Sequence, residues 1–505
     1  MMKRSGYLLF FLLIVYLLTN TGIVSDDFGN ILSLRNSPIM SALIPDDARL
    51  VAPLTCYTHL VWYHFSDLDN LAIINILKIF YLLLSFYMVS KFFSLYTNKI
   101  NAALISFFFI FFPSHDSTVY WFLGQYLTIT ISCYLYAYYL AYKDRLFTAA
   151  AMSIVASFIS YGSPPVALAL FVIFALDRKF KKGLIILLPN IVYSAYYLFI
   201  AKVLSSGTDH VPANLTLFSL GKRFLLQLAA FFDATLGPSI WLKIYYSFSQ
   251  LSFVSIAIGI AVAVFLYFIC VKGSRKYDMK LIVGLIVLTL SSIFIFSVTG
   301  KYPGIAFNLG NRTTIFGSLL IVYLLVLLPG PKMLRYAILT VLFLSILGIS
   351  DHWKAWNSHV GEVTAKISHN EKLKNHGGEL VFVSGNQYSK FGRLSHIEFF
   401  SEAAAVSSYF DLIPGSRVVA RPLNRRHKYE DGQIIDTKYG VSEEARGHIT
   451  VYDSEKDEVL DVRSENINKY IASLPPDNRH WIQLINSKRI KDIILKIMPR
   501  LKYAL

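Results

Sequence analysis

The chain has 505 residues, of which 55% are hydrophobic, 15% aromatic and only 16% charged, against about 25% charged in an average soluble domain. With a mean hydropathy of +0.49, this excludes a disordered chain, a coiled coil, collagen and an ordinary soluble enzyme, and implies a multi-pass membrane protein. The net charge of +16, from 48 basic and 32 acidic residues, gathers in short clusters between apolar runs, as cytoplasmic loops do, so no nucleic-acid partner is expected.

In chain order, the first apolar run is 7–24. It follows Lys3-Arg4 and ends at Ser25-Asp26-Asp27 with no small-residue cleavage site. It reads as a retained anchor with a cytoplasmic N-terminus. Further spans are expected at about 71–92, 102–112, 126–142, 146–161, 165–176, 184–201, 251–271, 281–298, 314–328 and 334–347. Several fall short of the roughly 20 residues of a perpendicular helix, so they must extend into their flanks or end at buried loops. If all eleven cross, one set of loops carries Lys91, Lys99, Lys143, Arg145, Arg178, Lys179, Lys181, Lys182, Lys272, Arg275, Lys276, Lys280, Lys332 and Arg335. The opposite set carries Asp26, Asp27, Asp46, Asp47, Asp116 and Asp233. That asymmetry fixes a topology. The stretch 224–241 is also apolar, but it contains Asp233, Gly237 and Pro238, and counting it would invert the later loops. It reads as an interfacial or re-entrant helix in an outer loop, 202–250. Cys56, Cys133 and Cys270 match no zinc spacing and predict no disulfide framework.

Beyond residue 350 the charged fraction rises to roughly a quarter, the density of soluble proteins. Residues 379–384 read as a buried strand ending at Gly385-Asn386, and 396–410 as a helix with Ile397, Phe400 and Ala404 on one face. Residues 448–452 alternate as a strand, with another at 459–462. The expected fold is an α-helical polytopic membrane protein of about 11 transmembrane helices in residues 1–350, followed by a small α/β or α+β extracytoplasmic domain, 351–505. The basic run 421–428 reads as a solvated loop or as a contact for anionic lipid or saccharide. The tail 487–502 reads as a basic amphipathic helix that lies on the membrane or closes the domain.

The polar residues of the outer loops are more than membrane packing requires. Asp26-Asp27 stands at the exit of the first span, followed by Asp47 and Arg49. His115-Asp116, Tyr120-Trp121 and Gly124-Gln125 share the second outer loop, and Tyr302 and Asn311-Arg312 lie in the last. Adjacent carboxylates at a membrane surface are costly unless solvated, paired or metal-bound, and each raises the pKa of the other. A raised pKa suits a general base that takes a proton from a hydroxyl. The same pair would equally cap a helix N-terminus. Arg49 and Arg312 have the fork geometry that binds phosphate, and each also suits a structural ion pair. Trp121 suits an interface anchor.

The Asp26-Asp27-Phe28 motif outside the first span, followed by Arg49, His115-Asp116, Tyr120-Trp121, Gly124-Gln125 and Asn311-Arg312, resembles the GT-C glycosyltransferases. Among them it looks like the bacterial cell-surface polysaccharide type, including serotype-converting glucosyltransferases. Related chains often carry Tyr-Glu in the third outer loop, where this chain has Tyr161-Gly162. The resemblance implies a polyprenyl-phosphate-linked sugar as donor, a glycan or lipid as acceptor, and an extracytoplasmic site in a bacterial plasma membrane. It implies that Asp26 or Asp27 is the base of an inverting transfer. Arg49, Asp47, His115, Asp116, Trp121, Gln125, Tyr302 and Arg312 would then hold substrates. No cofactor is required by the sequence; Mg²⁺ or Mn²⁺ on Asp26, Asp27 and Asp116 would suit the oxygen ligands. A lipid-linked-glycan flippase and a polysaccharide polymerase are the alternatives.

Overall fold

The computed structural model describes residues 2–45, 49–203, 216–271, 276–300, 303–438 and 440–505. The chain is mostly helical, with a small sheet region at its C-terminal end. Among the described residues, six helical segments are long and apolar enough to cross a membrane, including Ala72–Phe93, Phe180–Ile200, Met279–Thr299 and Lys332–His369. Shorter apolar helices include Leu146–Ile159, Pro164–Leu176 and Phe253–Phe268. Helices form where apolar runs were read, because in a bilayer a spanning backbone must satisfy its own hydrogen bonds.

The two ends of the bundle differ in chemistry. At one end the loops are tied by Lys280 to Asp177 at 2.5 Å and Lys182 to Asp144 at 2.6 Å. Buried Arg335 donates to Asn101 Oδ1 at 2.9 Å there. A 21-residue helix, Met279–Thr299, then carries the chain about 30 Å to the other end, where the loops meet the C-terminal domain.

The segment 217–248 breaks into two helices, Leu217–Thr235 and Pro238–Phe248, at Gly237-Pro238. Its composition and length suit a crossing, yet its anchors all lie at the C-terminal domain's end. Asp233 accepts from the amides of Gln483 and Leu484. Lys243 reaches Asp116, and Ser252 N donates to Asp351 at 2.8 Å. These anchors hold the segment to the end of the bundle that meets the C-terminal domain.

The boundary drawn at residue 350 falls inside one continuous helix, Lys332–His369. Its second half rises out of the bundle and packs Val363 and Ile367 into the C-terminal core. There, β1 (Leu380–Ser384) lies parallel to β4 (Val419–Pro422) on one side and to β8 (His448–Asp453) on the other, with β9 (Glu458–Arg463) antiparallel at the edge. A hairpin, β2 (Tyr388–Phe391) and β3 (Leu394–Glu398), and a meander, β5 (His427–Glu430), β6 (Gln433–Asp436) and β7 (Ser442–Glu444), complete the sheets. One expectation is corrected: 396–410 is not one helix. Residues 394–398 pair as a strand, and the helix is Ala403–Leu412. The apolar spacing of Ile397, Phe400 and Ala404 was too short a window to separate the two.

Candidate functional site

The first helix ends at Leu18, and the chain turns through Gly22 at φ +64°. A Cβ there would sit 1.9 Å from Asn357 Oδ1, so only glycine fits this close approach. Buried Lys78 holds the turn, donating to Thr21 Oγ1 at 2.7 Å and to the Gly22 carbonyl at 2.9 Å. Ser25 follows at φ 53°, a strained left-handed conformation for a residue with a Cβ. It opens the helix Asp26–Arg35.

The two carboxylates separate in role. Asp27 is fully buried, accepting from the Val24 amide at 3.1 Å and from the Tyr63 hydroxyl. Burial outweighs these bonds and pushes its pKa up to about 6. It holds the turn as a cap does. Asp26 points the other way, into a cleft of about 420 Å³ between the membrane helices and the C-terminal domain. Crowding by protein raises its pKa, Arg312 opposes, Glu398 adds to the rise and the Ser25 hydroxyl opposes. Phe28 sets this orientation. It is buried edge-on against Tyr409, 5.0 Å between ring centroids, and beside Phe399. Burying that ring contributes about 1.5–3 kcal/mol and packs the Asp26 helix on the helix Ala403–Leu412.

Trp121 and Arg312 line the same cleft, with the guanidinium 5.0 Å from the indole ring centre. Trp121 is buried and its indole N–H has no hydrogen-bond partner. Four charged residues that the sequence reading missed come from the C-terminal domain: Glu398, Glu402, Lys438 and Arg479. Tyr388 donates to Glu398 at 3.1 Å, and Lys438 lies 3.5 Å from Glu402. Burial and the neighbouring Glu398 push Glu402 up to about 7, Lys438 opposing. No local motif marks these four, which gain meaning only when Phe28 docks the two domains.

The other expected residues lie elsewhere. His115, Asp116 and Gln125 are buried in the packed interior and do not line the cleft. Asp116 is a structural knot. Its Oδ1 accepts from Lys243 Nζ at 2.8 Å and from Asn311 Nδ2; its Oδ2 accepts from Trp353 Nε1 and His396 Nε2, both at 2.9 Å. Burial alone would raise its pKa, but Lys243 and His396 outweigh it and hold the carboxyl well below the usual range. With every acceptor direction used, it has none left for substrate. His115 bonds Thr118 and faces Phe109 and Phe112, while Gln125 donates to the Val119 carbonyl. Arg49 is not on the cleft; the Leu50 and Val51 carbonyls beside it accept from Tyr196 and Tyr193. Asp47 and Tyr302 lie outside the described residues.

Of the three carboxylates expected to suit a metal, Asp27 and Asp116 accept from internal donors, and Asp26 lines the cleft. Among the described residues, no group of three or more His, Cys, Asp or Glu is arranged to hold a metal ion. The basic run 421–428 is likewise used internally. Arg421 pairs with Glu443, Arg425 donates to the Ala472 and Leu474 carbonyls, and buried Arg426 pairs with Asp436.

A second, apolar groove of about 290 Å³ runs between membrane helices, walled by Tyr161, Tyr197, Leu198, Ile295, Phe296 and Phe316. Phe316 stands one helical turn beyond Arg312, so the two cavities flank the same stretch of chain. In comparisons with known proteins, no family model and no curated sequence matches the chain.

Proposed function

We propose that the protein is an integral-membrane glycosyltransferase. It moves a sugar from a polyprenyl-phosphate donor to a glycan or lipid acceptor at the extracytoplasmic face of a bacterial plasma membrane. The observation that carries this reading is the meeting of Asp26, Arg312 and Trp121 in one cleft, with an apolar groove lined by Phe316, four residues along the chain from Arg312. The groove suits an isoprenoid tail, and Arg312 suits its phosphate. Asp26 takes the proton of the acceptor hydroxyl. That oxygen attacks the anomeric carbon from the face opposite the phosphate, the bond from the anomeric carbon to the phosphate oxygen breaks, and configuration inverts. The departing polyprenyl phosphate keeps the electron pair, and Arg312 stabilises its added charge. Asp27 positions Asp26 through the Ser25 turn. Glu398 and Glu402 line the same cleft, where their carboxylates can accept hydrogen bonds from acceptor hydroxyls.

Sidedness supports the reading. Asp26 and the C-terminal domain share a cleft, so an even number of crossings separates them. Eleven spans with a cytoplasmic N-terminus satisfy that parity; counting 217–248 as a twelfth does not. The basic loops then gather at the cytoplasmic end.

The test is a radiolabelled polyprenyl monophosphate sugar in proteoliposomes holding the wild-type protein and Asp26→Asn. Label moving to an acceptor with wild type and not with the variant supports the proposal. Translocation of intact donor indicates a flippase, growth of a polymer indicates a polymerase, and full transfer by Asp26→Asn refutes the base assignment.

A further inference from the structure

The end of the chain forms part of the cleft. Tyr503 and Ala504 line it, and Tyr503 OH donates to the Thr437 carbonyl at 2.8 Å. The Ala504 carbonyl accepts from the Trp481 amide at 2.8 Å. The helix that delivers this wall, Lys488–Ile497, is apolar on two sides. On one side Ile494 is 7% exposed, and beyond it Met498 and Leu501 are buried in the core. On the other, Ile490 and Ile493 are 49% and 53% exposed, with Lys488, Arg489 and Lys496 exposed around them. Packing within the protein explains the first side and leaves the second uncovered.

We infer that Lys488–Ile497 lies in the headgroup layer of an anionic bilayer, Ile490 and Ile493 dipping into the acyl boundary, so that the membrane surface supports one wall of the cleft. Three observations choose lipid as the occupant. The helix packs on Leu217–Thr235, which turns the exposed Leu225 and Phe232 outward. The adjoining helix Pro238–Phe248 exposes Trp241 at 60% and Tyr245 at 70%, the residues that anchor at a bilayer interface. The exposed face of Lys488–Ile497 carries three basic residues against one acid, Asp492, which complements anionic headgroups. Lys491 turns back instead, donating to the Leu505 carbonyl at 2.6 Å, and so couples the helix to the residues that line the cleft.

The experiment uses the full-length protein in vesicles of phosphatidylethanolamine and phosphatidylglycerol doped with a phospholipid bearing a diazirine on its acyl chain. After irradiation and trypsin digestion, the peptide 492–496 is expected to carry label, as is the lipid-facing helix Phe253–Val271, which serves as the internal control. In the double variant Ile490→Glu/Ile493→Glu, label on 492–496 falls to that of the exposed strand β7 while the control helix keeps its label. Replacing phosphatidylglycerol by phosphatidylcholine, or raising the salt, also lowers it. A labelled control helix with an unlabelled 492–496 peptide overturns the inference, as does label that the double variant leaves unchanged. Amine cross-links joining Lys488 of two copies in place of lipid label would assign the face to self-association and overturn it too. The readout requires no catalytic activity, so it stands or falls separately from the transferase proposal.

Discussion

Asp116 and Asp26 are both carboxylates at the starts of helices at the same end of the bundle, and both sit among cations and aromatic rings, yet their surroundings give them opposite work. Asp116 is enclosed by Lys243, Asn311, Trp353 and His396, which come from four separate parts of the chain. It fastens the membrane helices to the C-terminal domain and stays ionised. Asp26 opens onto a cleft, where its pKa rises although Arg312 opposes the rise. A saturated carboxylate contributes to stability. One that is exposed on a cleft keeps the capacity to accept a proton. What separates the two is the number of donors within reach.

Substitutions at the two carboxylates should differ in kind as well as in size. Asp116→Ala leaves the Lys243 ammonium buried without its carboxylate, which costs about 3–5 kcal/mol. The expected result is a large drop in the thermal midpoint of the detergent-solubilised protein, or failure to accumulate. Asp26→Asn is expected to keep the wild-type midpoint and to lower transfer about a hundredfold to ten-thousandfold, measured with the labelled donor. If the two variants exchange phenotypes, the division of labour between the two carboxylates is wrong.

Smaller effects sharpen the picture. Arg312→Ala removes a charge-assisted contact of about 1.5–3 kcal/mol, so kcat/KM for the lipid donor should fall roughly tenfold to a hundredfold with little change in stability. The pH profile carries the finest signal. Asp26 acts as a base only when ionised, so transfer should decline as pH falls through its raised pKa. The Glu398 carboxylate beside Asp26 adds to the rise of its pKa. Glu398→Gln removes that charge, lowers the Asp26 pKa, and should move the acid limb of the profile to lower pH. An acid limb that stays in place, or moves to higher pH, separates Glu398 from Asp26.

Much of the bundle was legible in the chain. Long apolar runs give helices whatever surrounds them, and Gly237-Pro238 marked the break between the helices Leu217–Thr235 and Pro238–Phe248. Asp26, Trp121 and Arg312 were legible as candidates because charged or amphipathic side chains at span ends need a reason to be there. The strand at 394–398 was misread because three apolar residues at mixed spacing suit either period. The tight turn of the meander, Asp431 at φ 52° and Gly432 at φ 78°, carries an Asp-Gly hairpin signal in its sequence.

Composition and residue order are enough to specify a membrane-embedded helical bundle with a more highly charged C-terminal domain, because hydrophobic burial and backbone hydrogen bonding in lipid depend on them. Which acids are sealed and which are open depends on the folded arrangement. It buried His115, Asp116 and Gln125, turned Asp27 inward and Asp26 outward, and brought Glu398, Glu402, Lys438 and Arg479 across more than three hundred residues to the cleft. The physical reason is that desolvation and charge pairing are set by neighbours in space, and those neighbours assemble only when Phe28 packs against Tyr409 and the two domains close on each other.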